Sequence, residues 1–145
     1  MILFLDSSSI VSVYLEEEGR SDAVARHIQR ADALCCSSLA QVEVRSALAR
    51  ALRESRVTKP QHDQALHDFT GEWPTYVRVP MSDQLLDEAA DITEAHALKS
   101  LDAIQLASAR SIRNQITDVV IFSSWDDGLR RAAAAEGFEL LHEMP

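Results

Sequence analysis

The sequence has little cysteine, glycine or proline, and it has no long apolar run. Its two cysteines, Cys35 and Cys36, are neighbours, so they form neither a disulfide framework nor a C-x-x-C motif. Free thiols suit a reducing compartment. No apolar run approaches transmembrane length, and no basic region precedes the first apolar residues. We therefore expect a soluble, cytoplasmic protein with neither a signal peptide nor a membrane segment.

Basic residues are also scarce. The 145-residue chain has 14 Lys and Arg against 23 Asp and Glu, which gives a formal net charge of -9. This balance repels polyanions at long range, so it argues against a general nucleic-acid binder and favours a metal site. With 46% hydrophobic and 26% charged residues, the composition predicts one globular domain over residues 1–145 with its own buried core.

Short apolar runs alternate with helical patterns along the chain. Strands are predicted at 2–5, 33–36, 76–79, 119–122 and 138–141, the third of them either at a sheet edge or as a bridge between helices. Helices are predicted at 10–15, from Ser21, from Ser37 or Ser38 to about 55, from Thr58 through Trp73, from Ser82, at 100–114 and up to Glu136. In the helix after Ser82, the inward stripe is predicted at Leu86, Ala89, Ala90, Thr93 and Ala97. This alternation predicts an α/β protein, a three-layer α/β/α sandwich with a central, mostly parallel sheet.

Two acids follow predicted strands. Asp6 ends the apolar run 2–5 and precedes three serines, which favour turns and helix caps. Asp126 stands just past the run 119–122, in the equivalent place. Ligands of open α/β sheets bind at the carboxyl ends of the strands. A helix N-cap is an equally ordinary explanation for Asp126, and Asp127 beside it is predicted to lie on the surface.

Two further acids lie on predicted helices. Asp102 shares a face with Leu106 and Ala109, although an Asp in a first turn also suits the helix dipole. Glu43 lies at the edge of an apolar stripe, where a glutamate is often simply half-exposed. Four acids brought together are costly to bury unless a cation binds them. Hard divalent cations such as Mg²⁺ or Mn²⁺ prefer oxygen ligands of this kind.

Two other functional classes remain open on the residues alone. Asp6 could be the nucleophile of a phosphatase or phosphotransferase, although the haloacid dehalogenase pattern requires an Asp two residues later, where this chain has Ser8. The chain could also be a non-catalytic interaction module whose acids only cap helices.

Four segments of the chain resemble a known family. They are L-D-S-S-S-I-V at 5–11, E-V-R-S-A-L at 43–48, S-L-D-A-I-Q-L-A-S-A at 100–109 and S-S-W-D-D-G-L-R-R-A-A at 123–133. In this order and at this spacing they resemble the PIN domain, and more narrowly the VapC-type toxins of bacterial toxin–antitoxin modules. The likeness extends from residue 1 to about residue 141.

The resemblance implies a metal-dependent endoribonuclease whose acids are Asp6, Glu43, Asp102 and Asp126. Asp6, Asp102 and Asp126 would coordinate Mg²⁺ or Mn²⁺, directly or through water. Glu43 would orient or deprotonate the attacking water, or hold a second ion. The resemblance further implies an RNA substrate, a cognate antitoxin and a homodimer.

The resemblance also assigns one hydroxyl and shows two departures. Ser124 would help to place a ligand or a phosphate. The family often has His where this chain has Gln105, and the fourth acid is ambiguous between Asp126 and Asp127. The spacing to Leu129 favours Asp126.

Cations near the acids, and one apolar hairpin, offer candidate contact surfaces. The cations could meet RNA phosphates or an acidic partner, or they could lie on ordinary solvated helix faces. They are Arg45, Arg50, Arg53, Arg56, Lys59, Arg110 and Arg113. The hairpin that ends at Trp73 has more large apolar residues than one helix face needs, which predicts a dimer surface or a site for a partner helix.

Overall fold

One parallel sheet organises the protein. The structure, a computed structural model, describes residues 1–142. Its strands are β1 (Ile2–Leu5), β2 (Ala33–Ser37), β3 (Val77–Val79), β4 (Val120–Ser123) and β5 (Glu139–Leu140). In the described part of the chain they pair in the order β3-β2-β1-β4-β5, and every pair is parallel. The first strand in sequence is therefore central, and β3 lies at an edge.

Helices cover both faces of the sheet. They are α1 (Ser7–Tyr14), α2 (Arg20–Ile28), α3 (Ala40–Arg53), α4 (Lys59–Glu72), α5 (Asp83–His96), α6 (Ser100–Gln115) and α7 (Asp127–Ala135). Helices α1, α2, α3 and α4 pack on one face of the sheet around one hydrophobic core. Helices α5, α6 and α7 pack on the other face around a second core. The predicted three-layer α/β/α sandwich is confirmed. Within residues 1–142, each helix is too short or too polar to span a bilayer.

The apolar run of β1 serves both cores because successive side chains point to opposite faces. Leu3 and Leu5 pack against α1 to α4, whereas Phe4 packs on the other face, where its ring stacks on Phe122 at 5.5 Å. All three residues of this run from 3 to 5 are fully buried. Four apolar residues therefore suffice to define the centre of the sheet.

Several helix starts differ from the predicted ones. α1 begins at Ser7, three residues early, because the Asp6 side chain caps it by accepting from the Ser9 amide. α2 begins at Arg20 after Gly19, whose φ of 75° is left-handed. Ser21, predicted to be a cap, lies inside α2 and donates to the Ser12 carbonyl at 2.7 Å.

The predicted inward stripe of α5 is wrong except at Ala89. Ser82 caps the helix as predicted, accepting from the Leu85 amide. The buried residues are Leu85, Ala89 and Ile92, and Leu86 is 39% exposed. Leu85 and Leu86 are adjacent and equally apolar, so periodicity alone selected the wrong phase.

The large aromatic residues at the end of the α3–α4 hairpin are covered within the domain. Phe69 and Trp73 are buried against Tyr14 and Tyr76 in a chain of ring contacts between 5.4 and 6.0 Å. The Tyr14 hydroxyl also donates to Glu72 at 2.7 Å. This aromatic cluster accounts for Phe69 and Trp73, whereas Val42 on α3 is 68% exposed. The predicted dimer surface or helix site on this hairpin stays a prediction.

Candidate metal and catalytic site

Asp6 lies at the carboxyl end of the central strand and is only 4% exposed. Its Oδ1 accepts from the Ser8 hydroxyl at 2.7 Å and from the Ser9 amide at 2.9 Å. Burial raises the pKa of Asp6 to about 6, a rise to which the charge of Asp102 adds and which hydrogen bonds from Ser124, Ser8 and Ser9 oppose. Ionisation of Asp6 is therefore less favourable than that of an exposed aspartate, and a nearby positive charge would offset the difference.

Asp126 follows β4, and like Asp6 it is the N-cap residue of the next helix. The Leu5↔Ser123 register places the residues that follow these two strands side by side, and the Asp6 amide donates to the Ser123 carbonyl at 3.0 Å. Asp126 caps α7, its Oδ1 accepting from the Leu129 amide at 2.8 Å. The sequence offered capping and chemistry as alternatives for this residue, and its position allows both.

Serine hydroxyls connect these two loops. The Ser8 hydroxyl donates to Asp6 and accepts from the Trp125 amide at 3.0 Å. Ser124 is fully buried; its Oγ accepts from the Asp126 amide at 3.1 Å, and its hydrogen bond lowers the pKa of Asp6. The Ser124 hydroxyl thus holds both acids, and its predicted role in placing a ligand or a phosphate stays a prediction. For Ser8 the sequence pattern predicted only a turn.

Asp102 lies in the first turn of α6 and is half-buried. Burial raises its pKa, and the charges of Asp126 and Glu43 raise it further, whereas Lys99 lowers it. The charge of Asp102 in turn acts on Asp6. Asp102 is therefore electrostatically linked to each of the other three predicted acids, and the assignment of the four as one metal site stays a prediction.

Glu43 reaches this group from α3. Its Oε1 accepts from the Ser7 hydroxyl at 2.7 Å and from Gln105 Nε2 at 2.8 Å. Gln105, on α6, is 2% exposed, and its Oε1 has no hydrogen-bond partner among the described residues. Leaving such an oxygen unpaired typically costs about 1–3 kcal/mol. The sequence pattern marked Gln105 only as a departure, because its partners come from two other helices.

The donor set fits a hard divalent cation that keeps part of its water. Within residues 1–142, no three His, Cys, Asp or Glu side chains already form a ligand set for an ion. Mg²⁺ commonly uses one or two carboxylates and completes its octahedron with water and substrate phosphate. A cation would offset both the burial of Asp6 and the repulsion on Asp102, which makes carboxylate oxygens in this arrangement suitable ligands.

Most of the predicted cations are paired inside the domain. Arg50 and Arg56 pair with Glu54, and Lys59 pairs with Asp63. Arg110 and Arg113 lie near Glu136, at 3.8 and 4.0 Å. Among residues 1–142, two of the seven form no salt bridge, Arg45 and Arg53.

Comparisons with known proteins agree with this geometry. The PIN domain family matches residues 3–135. Ribonuclease VapC45 from Mycobacterium tuberculosis is 32% identical over 136 residues, which cover 94% of this chain and 92% of that protein. FitAcB from Neisseria gonorrhoeae has a similar structure, with a TM-score of 0.65 at 17% identity, over 98% of this chain and 97% of the other. VapBC2 from Rickettsia felis, bound to a DNA fragment from its promoter, matches with a TM-score of 0.63 at 13% identity and 97% coverage of both chains.

The sequence matches and the structural matches agree with each other. The solved structures share the fold, and the sequence matches extend over nearly the whole chain, including the regions that supply Asp6, Glu43, Asp102 and Asp126. The protein is therefore a member of the PIN domain family, in the group of the VapC ribonucleases.

Proposed function

We propose that the protein is a metal-dependent endoribonuclease that cleaves RNA phosphodiester bonds and is the toxin of a toxin–antitoxin pair. The single observation that supports this best is electrostatic. Asp126 and Glu43 raise the pKa of Asp102, and Asp102 raises that of Asp6, so acids from four separate segments act on one another. The proposed substrate class, RNA, comes from the similar protein VapC45, which is a ribonuclease by name.

Asp6, Asp102 and Asp126 are the proposed ligands of Mg²⁺ or Mn²⁺, directly or through water. When bound, the ion would polarise the scissile phosphate and lower the pKa of a water. Glu43 would orient that water or accept its proton. Because Glu43 Oε1 already accepts two hydrogen bonds, Oε2 is the oxygen left for this task.

Asp126 is a better candidate than Asp127 for the fourth acid. The charge of Asp126 acts on Asp102, and its carboxylate lies just beyond β4. Asp127 is the first residue of α7 and is exposed, as Asp126 is, but it is not among the charges that shift the pKa of Asp102. The choice is supported by electrostatics as well as by the spacing to Leu129.

Unpaired cations beside the acids support an RNA substrate despite the net charge of -9. Lys99 is exposed, forms no salt bridge among residues 1–142, and lies close enough to Asp102 to lower its pKa. Arg131, also exposed, lines a cavity of about 320 Å³ together with Leu98 and Gly128. A phosphate near this end of the sheet would meet positive charge there.

The proposal also includes a protein antitoxin as partner, assembly of the protein as a homodimer and a location in the cytoplasm. A groove of about 790 Å³ lies between the loop after α1 and the α3–α4 hairpin, and its lining is mainly acidic, with Glu16, Glu17, Glu18 and Asp22 against Arg56. This negative charge disfavours RNA binding in the groove and suits a basic segment of the antitoxin.

A dimer contact is available on α3, where the side chain of Val42 is 68% exposed and could pack against a second copy of the chain. The buried, unpaired thiols suit a reducing compartment.

The phosphatase alternative is disfavoured by the burial of its nucleophile. At 4% exposure, and with hydrogen bonds from Ser8 and the Ser9 amide on Oδ1, Asp6 is poorly placed for in-line attack on a phosphate. A module without catalysis would have no use for four mutually repelling acids.

The test is RNA cleavage in Mg²⁺ with total cellular RNA, followed by mapping of the new ends. Asp6→Asn and Asp102→Asn are expected to lose activity by about 100-fold or more, with the fold intact by circular dichroism. Asp127→Asn removes the same charge from an exposed site and should retain activity. Cleavage at the wild-type rate by either of the first two variants would show that the metal assignment is wrong.

The toxin role has its own test. Expression without a partner should arrest growth and translation in a host cell, and Asp102→Asn should relieve the arrest. Normal growth with abundant folded wild-type protein would contradict the toxin role and leave the nuclease chemistry standing.

A further inference from the structure

The Gln105 amide is a polar group that packing does not explain. Its side chain is 2% exposed, and Nε2 donates to Ser7 Oγ at 3.0 Å and to Glu43 Oε1 at 2.8 Å. Its own Oε1 has no partner among residues 1–142. Unpaired buried oxygens are uncommon in native proteins, and an apolar side chain of the same length would avoid the desolvation of that oxygen.

Glu43 fixes the orientation of this amide. Turning the amide by half a rotation would place Gln105 Oε1 against a carboxylate oxygen, and an ionised carboxylate has no proton to donate. Nε2 therefore faces Glu43, and Oε1 is left without a partner. The oxygen is therefore unpaired because the amide nitrogen donates its hydrogen bond to Glu43.

Ser7 adds a second donor to the same atom. Its hydroxyl donates to Glu43 Oε1 at 2.7 Å and accepts from Gln105 Nε2. The three side chains come from α1, α3 and α6, and they form a closed triangle around Oε1. Two donors on one oxygen restrict rotation of the carboxylate and leave Oε2 as the oxygen that points away from this triangle.

We propose that Gln105 is a positioning residue that holds the Glu43 carboxylate so that Oε2 meets the attacking water. The inference rests on the role proposed for Glu43 in the nuclease reaction. Gln105 itself is enclosed and does not touch RNA. Its effect should therefore fall on the chemical step and not on substrate binding.

The first test replaces the amide with an apolar group of similar length. Gln105→Met should lower kcat for RNA cleavage by about 10- to 100-fold, the range typical of residues that orient an active-site group. KM for RNA should stay unchanged, and the Tm of the metal-free protein should equal or exceed that of wild type. Gln115→Met is the matched control, because Gln115 is exposed on the same helix and its side chain bonds, within residues 1–142, to Ser111 alone.

A rescue variant separates positioning from packing. The Nε2 of a histidine lies about as far from its Cα as that of glutamine and can donate a hydrogen bond, so Gln105→His should recover most of kcat. A pure packing role predicts the opposite order, with Met active and His impaired. That order, or a loss confined to KM, would overturn the proposal.

A double-mutant cycle with Glu43→Ala tests whether Gln105 acts through Glu43. In that background, Gln105→Met should change kcat by less than about twofold, and the Tm changes of the two substitutions should be non-additive in metal-free protein. Losses that multiply, together with additive Tm changes, would overturn the proposal. The cycle of Tm measurements needs neither RNA nor metal. It therefore tests the hydrogen bond between Gln105 and Glu43 even if the protein proves not to be a nuclease.

Discussion

Replacing Asp6 with Asn should stabilise the metal-free protein. Burial raises the pKa of Asp6 from its ordinary 3.8 to about 6. A carboxyl group with a higher pKa in the folded state than in the unfolded chain ionises more readily after unfolding, so its charge favours unfolding. Asn has nearly the same shape and can still accept from the Ser9 amide, but it never carries the charge.

The size of the effect follows from the pKa difference. About two pKa units correspond to about 3 kcal/mol of unfolding free energy at neutral pH. For a domain of this length, 1 kcal/mol shifts Tm by roughly 2–4 °C, so Asp6→Asn should raise Tm by roughly 6–12 °C. Below about pH 4 both states are protonated and the gain disappears. It grows between pH 4 and 6 and is constant above pH 6.

The assay is thermal unfolding by circular dichroism in a chelator, from pH 4 to pH 8. Asp127→Asn makes the same change in net charge at an exposed site and should leave Tm nearly unchanged at every pH. Added Mn²⁺ should raise the Tm of wild type and not that of Asp6→Asn. A variant less stable than wild type at pH 7.5, or a gain independent of pH, would refute the assignment of a buried charged Asp6.

Three further predictions concern the surroundings of the site. Lys99→Ala should weaken RNA binding and reduce its salt slope by about 1, measured by titration at several salt concentrations, whereas Arg30→Ala, which removes an exposed cation near the amino ends of the strands, should change neither. Ser8→Ala should cost about 1–3 kcal/mol in urea unfolding, because the Trp125 amide loses its acceptor. Phe69→Ala should cost about 3–5 kcal/mol in the same assay, because it empties the centre of the aromatic cluster.

Much of the fold was predictable because its signals are local. A strand buried on both faces appears as an apolar run, and Thr58 with Gln61 forms a capping box that marks the start of α4. The ends of β1 and β4 were also visible, and with them the neighbourhood of Asp6 and Asp126. The phase of α5 was not, since two adjacent leucines compete for the core and only packing against the sheet decides between them.

The site was predictable in its acids but not in what holds them. The acids are few and stand at strand ends or on apolar helix faces, so the sequence marks them. The contacts of Ser124 and Gln105 depend on how three helices and two loops meet. The approach of Arg110 and Arg113 to Glu136 likewise depends on how α6 meets the end of α7, so a count of nearby cations overestimated the charge free to bind RNA.

The central place of β1 has a consequence for biosynthesis. β1 forms its hydrogen bonds with β2 and with β4, and β4 is supplied by residues 120–123, near the other end of the chain. A nascent polypeptide whose β4 is still inside the ribosome keeps one edge of β1 unpaired, and its Asp126 has not yet joined Asp6. The sheet, and with it the proposed site, would therefore be completed only after residues 120–123 have emerged.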